Sequence, residues 1–142
     1  MRRSSSSSLS FPLLGFALLI LLAACSRPLR SDSFRLSDGS GIYTFALDMS
    51  DSLCTYSLSF YASLDKGRAP QGFPIKVYLH SPSGATYCES LYYDASSELL
   101  VPYRRGLVPV EYGLWELELR ASAPGLEGMG LVCDRAYESA DF

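Results

Sequence analysis

Between Leu53 and Leu64 the chain alternates: Cys54, Tyr56, Leu58, Phe60, Ala62 and Leu64 fall on one side, Thr55, Ser57, Ser59 and Ser63 on the other. Successive side chains of a strand point to opposite faces, so a period of two marks a half-buried β-strand. Helical packing would need apolar positions every three to four residues, and none of that pattern is here. Gly113–Ala121 (GLWELELRA) alternates in the same way, with Trp115, Leu117 and Leu119 inward and Glu116, Glu118 and Arg120 in water. Ile42–Asp48 and Pro74–His80 follow, the latter with Ile75, Val77 and Leu79 inward.

The segments between are turns. Asp38-Gly39-Ser40-Gly41 is one, Lys66–Gly72 is a loop, and Ser81-Pro82-Ser83-Gly84 predicts a tight hairpin. Proline presets φ at its second position and glycine accepts a positive φ at its end. Ala85–Tyr93 then returns as the partner strand, and Ala95–Glu98 reads as a turn or a short helical piece. Leu99–Tyr103 and Leu107–Val110 are short strand candidates around Arg104-Arg105-Gly106, and Met129–Asp134 closes the domain. About seven or eight strands with no amphipathic helix of useful length predict an all-β antiparallel sandwich, either jelly-roll or immunoglobulin-like.

The start of the chain has different physics. Met1-Arg2-Arg3 is cationic, Ser4–Ser10 is uncharged, and Phe11–Leu22 is apolar. As a helix that apolar run reaches about 18 Å against a hydrocarbon slab of about 30 Å, too short to span and suited to a signal-peptide core. Leu22-Ala23-Ala24-Cys25 follows and matches the lipobox of bacterial lipoproteins, which is cut between Ala24 and Cys25 so that the Cys25 thiol carries the lipid. An ordinary signal peptide that happens to end in cysteine is the alternative. The expected organisation is a signal peptide at 1–24, lipidated Cys25 and a polar tether to residue 33, a β-sandwich at 34–136, and a tail at 137–142. Ser26–Ser33 extends at most about 26 Å, so an anchored domain stays close to its membrane.

Cleavage changes both the charge and the cysteine arithmetic. Losing Arg2 and Arg3 takes Lys+Arg from 12 to 10 against 15 Asp+Glu, so the net charge moves from −3 to −5. An acidic domain with no basic cluster does not suit nucleic acid. With Cys25 acylated, two of Cys54, Cys88 and Cys133 can form a disulfide, although buried free thiols fit a β core equally well. Their wide spacing does not suit zinc or thiol-redox chemistry. No cofactor and no metal is expected.

Two resemblances arise from particular residues. Val77–Ala85 (VYLHSPSGA) and the later Gly113-Leu114-Trp115-Glu116-Leu117 resemble a jelly-roll pattern, used for example by convertase-type P domains, in which a Ser-Pro-Ser-Gly hairpin precedes a Gly-x-Trp-x-Leu strand. Gly113–Leu119 with Leu126-Glu127-Gly128-Met129-Gly130-Leu131 is similar to the closing segment of GldH, a gliding-motility lipoprotein family of Bacteroidota. That resemblance implies a lipobox, a compact β domain, a place in gliding or secretion machinery, and no catalytic residues to carry over. Surface-exported lipoproteins of that lineage carry acidic residues just after the cysteine. Ser26–Arg30 has none, which points to the periplasmic side of an outer membrane.

Few residues suggest chemistry. His80 is the only histidine, and its neighbours Ser81 and Ser83 have no orienting acid in view. Asp38, Asp48 and Asp51 do not have the spacing of a calcium loop. Glu116 and Glu118 share a strand face about 7 Å apart, which suits solvent-facing carboxylates as well as glycoside chemistry. The tyrosines Tyr87, Tyr92, Tyr93, Tyr103 and Tyr112 are the candidate binding surface, near Arg104 and Arg105, because tyrosine joins an apolar ring to a polar end. Tyr92 should point away from Tyr93. The expected function is therefore a membrane-anchored, non-enzymatic component of the cell envelope that docks an envelope protein. A carbohydrate-binding sandwich is the alternative.

Overall fold

The computed structural model of the chain describes residues 29–65, 67, 72–94 and 99–138. The signal segment, the Ala24–Cys25 cleavage point, residues 25–28, most of the Lys66–Gly72 loop and the Ala95–Glu98 turn lie outside the described residues. Eight strands follow one another: β1 (Arg30–Leu36), β2 (Ile42–Met49), β3 (Cys54–Leu64), β4 (Phe73–His80), β5 (Thr86–Tyr93), β6 (Val101–Leu107), β7 (Gly113–Ala121) and β8 (Leu126–Tyr137).

Folding the chain back on itself pairs β1 with β8, β2 with β7, β3 with β6 and β4 with β5, all antiparallel. The β3–β8 and β4–β7 ladders then join these pairs into two sheets, ordered β1-β8-β3-β6 and β2-β7-β4-β5. That interleaved order is the jelly-roll winding, and an immunoglobulin-like sandwich does not have it. One end of the sandwich carries the start of β1 with the β2–β3, β4–β5 and β6–β7 loops, and is called the tether end below. The β1–β2 and β7–β8 turns lie at the opposite end.

Alternation puts the core where the sequence places it. Tyr56, Leu58 and Phe60 of β3 and Leu117 and Leu119 of β7 are wholly buried, packed in one cluster with Phe45, Ile75, Val77 and Met129. Each such side chain stabilises the fold by roughly 1.5–3 kcal/mol relative to exposure. A surface pair such as Arg30–Asp134, 2.6 Å apart, is screened by solvent and adds little. The inner faces, not the ion pairs, hold the sheets together. The Ser81–Gly84 hairpin forms as expected: Gly84 donates to the Ser81 carbonyl at 3.0 Å and adopts φ +95°.

Strand β8 solves a different problem. Its outward positions Gly128 and Gly130 lie between β1 and β3, under the rings of Phe34 and Tyr61, and a Cβ at either glycine would overlap the ring above it. Phe34 and Tyr61 stack with centroids 5.9 Å apart, and the Tyr61 hydroxyl donates to Asp32 at 2.6 Å. Burial and that carboxylate push the Tyr61 hydroxyl up to about 12. The glycines of the closing segment thus have a packing reason of their own.

Three boundaries differ from expectation. The tether read at Ser26–Ser33 loses its second half to β1, which pairs with β8 from Arg30 onward. This strand is exposed along nearly its whole length, so it carries no alternation to read. The two short candidates at Leu99–Tyr103 and Leu107–Val110 are replaced by one strand, Val101–Leu107: Arg104, Arg105 and Gly106 belong to β6, and Val108–Val110 lie beyond it. A register shift opposite Tyr56 and Leu58 absorbs Gly106, whose φ is +61° and whose N–H donates to the Ser57 hydroxyl at 3.2 Å. Finally, β8 extends to Tyr137, whose hydroxyl donates to Asp51 at 2.7 Å.

Replacing Gly130 with alanine should cost about 1–3 kcal/mol, the usual penalty of overpacking, read as a lower thermal midpoint. In a Tyr61→Ala background the same change should cost clearly less, because the ring that the methyl displaces is gone. Equal costs in the two backgrounds would show that the ring does not set the requirement for glycine.

Candidate functional site

Strands β5 and β6 are the facing edges of the two sheets. At the tether end they stand apart around a cleft of about 580 Å³. Trp115 of β7 reaches it with Met49 and Leu79, while Tyr87 and Glu89 line it from β5 and Tyr103, Arg104 and Leu107 from β6. The chain after β6 continues the lining as the aliphatic run Val108-Pro109-Val110.

The rings in the cleft are held from below. Trp115 is buried, and its indole N–H donates to the Glu111 carbonyl at 2.9 Å. Tyr87 lies 6.0 Å from it, tilted by 32°, with about half of its surface (48%) in solvent. The period of β5 explains this placement: Tyr87, Glu89, Leu91 and Tyr93 pair with the inward residues Leu79, Val77, Ile75 and Phe73. A carboxylate at one of these positions needs partners. Arg104 supplies one, reaching both Glu89 oxygens at 2.7 Å, and the Tyr103 hydroxyl supplies the other. Tyr103 is stacked on Phe60 at 4.9 Å, and the Arg104 guanidinium lies 4.5 Å over its ring.

Electrostatics follow this geometry. The Tyr103 hydrogen bond and then Arg104 hold the Glu89 carboxyl below its ordinary range, against burial. Burial, then the Glu89 bond, pushes the Tyr103 hydroxyl upward. The group is a latch between the sheets that leaves an apolar cleft beside a fixed ion pair.

Of the five candidate tyrosines, the structure brings two to the cleft, Tyr87 and Tyr103. Tyr93 is a core residue whose hydroxyl accepts the Ala62 N–H at 3.1 Å. Tyr92 points outward, as expected from its place in the strand, and its ring lies against Gly72. Tyr112 is exposed in the β6–β7 loop. Glu89 and Trp115 are the site residues that the tyrosine reading missed, although the alternation of Tyr87, Glu89, Leu91 and Tyr93 was visible and puts a carboxylate on the inner face.

The other candidates stay apart. Asp38 sits at the far end of the sandwich from Asp48 and Asp51. Among the described residues no group of acids, cysteines and histidine gathers around a metal position. His80 pairs across the ladder with Glu116 on the outer face, and its Nδ1 is 3.0 Å from the Thr86 hydroxyl. Glu118 binds Arg120 at 3.0 Å. Cys54, Cys88 and Cys133 are all free thiols here. Cys133 pairs with Leu58, four residues along β3 from Cys54. That is roughly 13 Å, well beyond the reach of a disulfide of about 7 Å. Cys88 is exposed on the other sheet. The sequence matches no family model and no curated protein.

The thiols give a direct test of this packing. In the folded protein Cys88 should react readily with a maleimide, while Cys54 and Cys133 react only in denaturant. Burial has pushed the Cys133 thiol up to about 11, which further slows it. Fast native labelling at Cys133 would contradict the core described above.

The latch also predicts a pH dependence. A carboxylate with a depressed folded value stabilises the fold above its unfolded value, and that stabilisation is lost as pH falls through the folded value. Acidification below about 4 should therefore release the Glu89 contribution. Because the pair is partly exposed, the effect should not exceed about 1 kcal/mol. Thermal midpoints of the wild type and Glu89→Gln should differ at pH 7 and converge towards pH 3. Parallel curves would remove the latch from the acid sensitivity.

Proposed function

We propose that the mature chain is a lipoprotein held at the membrane by Cys25, acting without catalysis as a docking module of the bacterial cell envelope. The observation that carries this reading is the inter-sheet cleft. Its apolar lining of Trp115, Leu107, Val108 and Val110 sits beside one fixed polar group, Glu89–Arg104. Such sites bind through a few buried apolar anchors and are oriented by a small number of polar contacts. The lipobox at Leu22–Cys25 supports the anchor, and the short chain before β1 keeps the cleft near the bilayer. The partner that suits this position is another envelope protein presenting an apolar side chain into the cleft. Assignment to gliding or secretion machinery, on the periplasmic side of an outer membrane, rests on the resemblance of Gly113–Leu119 and Leu126–Leu131 to the gliding-motility lipoproteins.

A carbohydrate ligand is the second reading, favoured by the half-exposed Tyr87 ring beside Trp115. Sugars stack on such rings.

Photo-crosslinking in cells separates the two. A benzophenone side chain at position 87 should give one discrete protein adduct, while the same group at position 92, on the outer face, gives none. Adding Arg104→Ala should weaken the adduct severalfold. Absence of any protein adduct at 87, with glycan binding that is lost in Tyr87→Ala, would replace the first reading with the second.

A further inference from the structure

The tether end exposes side chains that a solvated loop has no reason to carry. Leu53 in the β2–β3 loop is 77% exposed, and Val108 and Val110 in the β6–β7 loop are 61% and 81% exposed. Tyr112 and Tyr137 flank them, half in solvent, with an apolar ring and a polar tip each. At the opposite end the described turns include Ser37–Gly41 (SDGSG) and Ser122–Gly125 (SAPG), built of small residues with no large aliphatic side chain. The exposed aliphatic residues at that end are Leu99 in a turn and Leu36 and Ile42 at the strand ends beside the Ser37–Gly41 turn.

These tips do not dangle. The Asp51 N–H donates to the Tyr56 hydroxyl at 3.0 Å, which donates back to the Asp51 carbonyl at 2.8 Å. The Leu53 N–H is held by the Asp51 carboxylate at 2.9 Å. In the other loop Glu111 accepts from Trp115 through its carbonyl and from Ser83 through its carboxylate at 2.7 Å. Apolar tips on pinned loops lose little conformational freedom when they are buried.

What covers them follows from where the chain leads. Leu29, itself 60% exposed, sits at this same end, with its carbonyl accepting from the Arg135 N–H at 2.7 Å. Four peptide units separate Leu29 from Cys25, at most about 14 Å of extended chain. A lipid on Cys25 therefore holds this end, and no other, against the headgroups.

We propose that the tether end is a preformed seat on the lipid bilayer, with Leu53, Val108 and Val110 entering the interfacial zone while the far end faces away. The inference rests on lipidation of Cys25 as argued above. It adds an orientation: the domain stands on its β2–β3 and β6–β7 loops, and the cleft between β5 and β6 opens sideways at the membrane surface. Charges at this end are mixed, Arg30 and Arg135 alongside Asp48, Asp51, Glu111 and Asp134. The seat is therefore apolar rather than electrostatic and holds equally on zwitterionic and anionic lipid.

The test uses the lipidated protein in a Cys88→Ser background, with single reporters attached at Leu53→Cys, Val110→Cys or Leu99→Cys, reconstituted into phosphatidylcholine vesicles. Reporters at 53 and 110 should be about threefold or more less accessible to iodide than the one at 99, and quenched by nitroxide lipids, as expected for interfacial burial. Equal iodide access at all three sites, in protein that floats with the vesicles, overturns the seat and leaves the anchor standing. Protein that does not float overturns the anchor and the seat together. Protection that appears only when phosphatidylglycerol is added to the vesicles would also overturn the proposal, because it would make the contact electrostatic. A Leu53→Asp, Val110→Asp double variant should still float but expose a reporter at Val108→Cys to iodide.

Discussion

Strand β8 can exist as a strand only between β1 and β3, and the rest of the sandwich depends on that insertion. Its inner residues Met129, Leu131 and Cys133 join the core, while Gly128 and Gly130 leave room on the other face for Phe34 and Tyr61 to lie flat. The ladder joins the first strand to the last, with Arg30 opposite Asp134. Sheets closed by such distant pairings form late and slowly, since the loop entropy is lost before the contacts return anything.

From this closure the geometry of the site follows. The sheets are closely packed where β3, β8, β2 and β7 face one another, and the last strands of each sheet, β5 and β6, have no further neighbour. There the inner face carries Tyr87 and Glu89 in place of continuous aliphatic residues. Arg104 and Tyr103 bridge the gap, and the space above Trp115 stays open. Cleft, latch and aliphatic loop all sit at the end from which the tether departs. In the function proposed above, binding and anchoring would share one end of the molecule.

Much of this was legible in the residues. The long alternations of β3 and β7 are set by burial on one face alone, so period two reports them faithfully, and the Ser-Pro-Ser-Gly turn carries its own dihedral requirements. Strand β1 was illegible because an edge strand exposed on both faces has no hydrophobic period. Strand β6 was misread because a bulge at Gly106 breaks the period where two arginines suggest a loop. The site was half legible. Of five tyrosines close in sequence, alternation already sends Tyr92 outward, but the burial of Tyr93 in the core is not marked by any residue type. The alternation groups Tyr87 with Glu89, and the pairing of β5 with β4 fixes that face towards the other sheet.

The central claim is that this jelly roll works at a bilayer, attached through Cys25. The intact mass of the chain extracted from the envelope of cells that make it tests that claim most directly. The account predicts a species that begins at Cys25 and carries the added mass of a diacylglyceryl group. A mature chain of unmodified mass, or one that begins at any other residue, would contradict it.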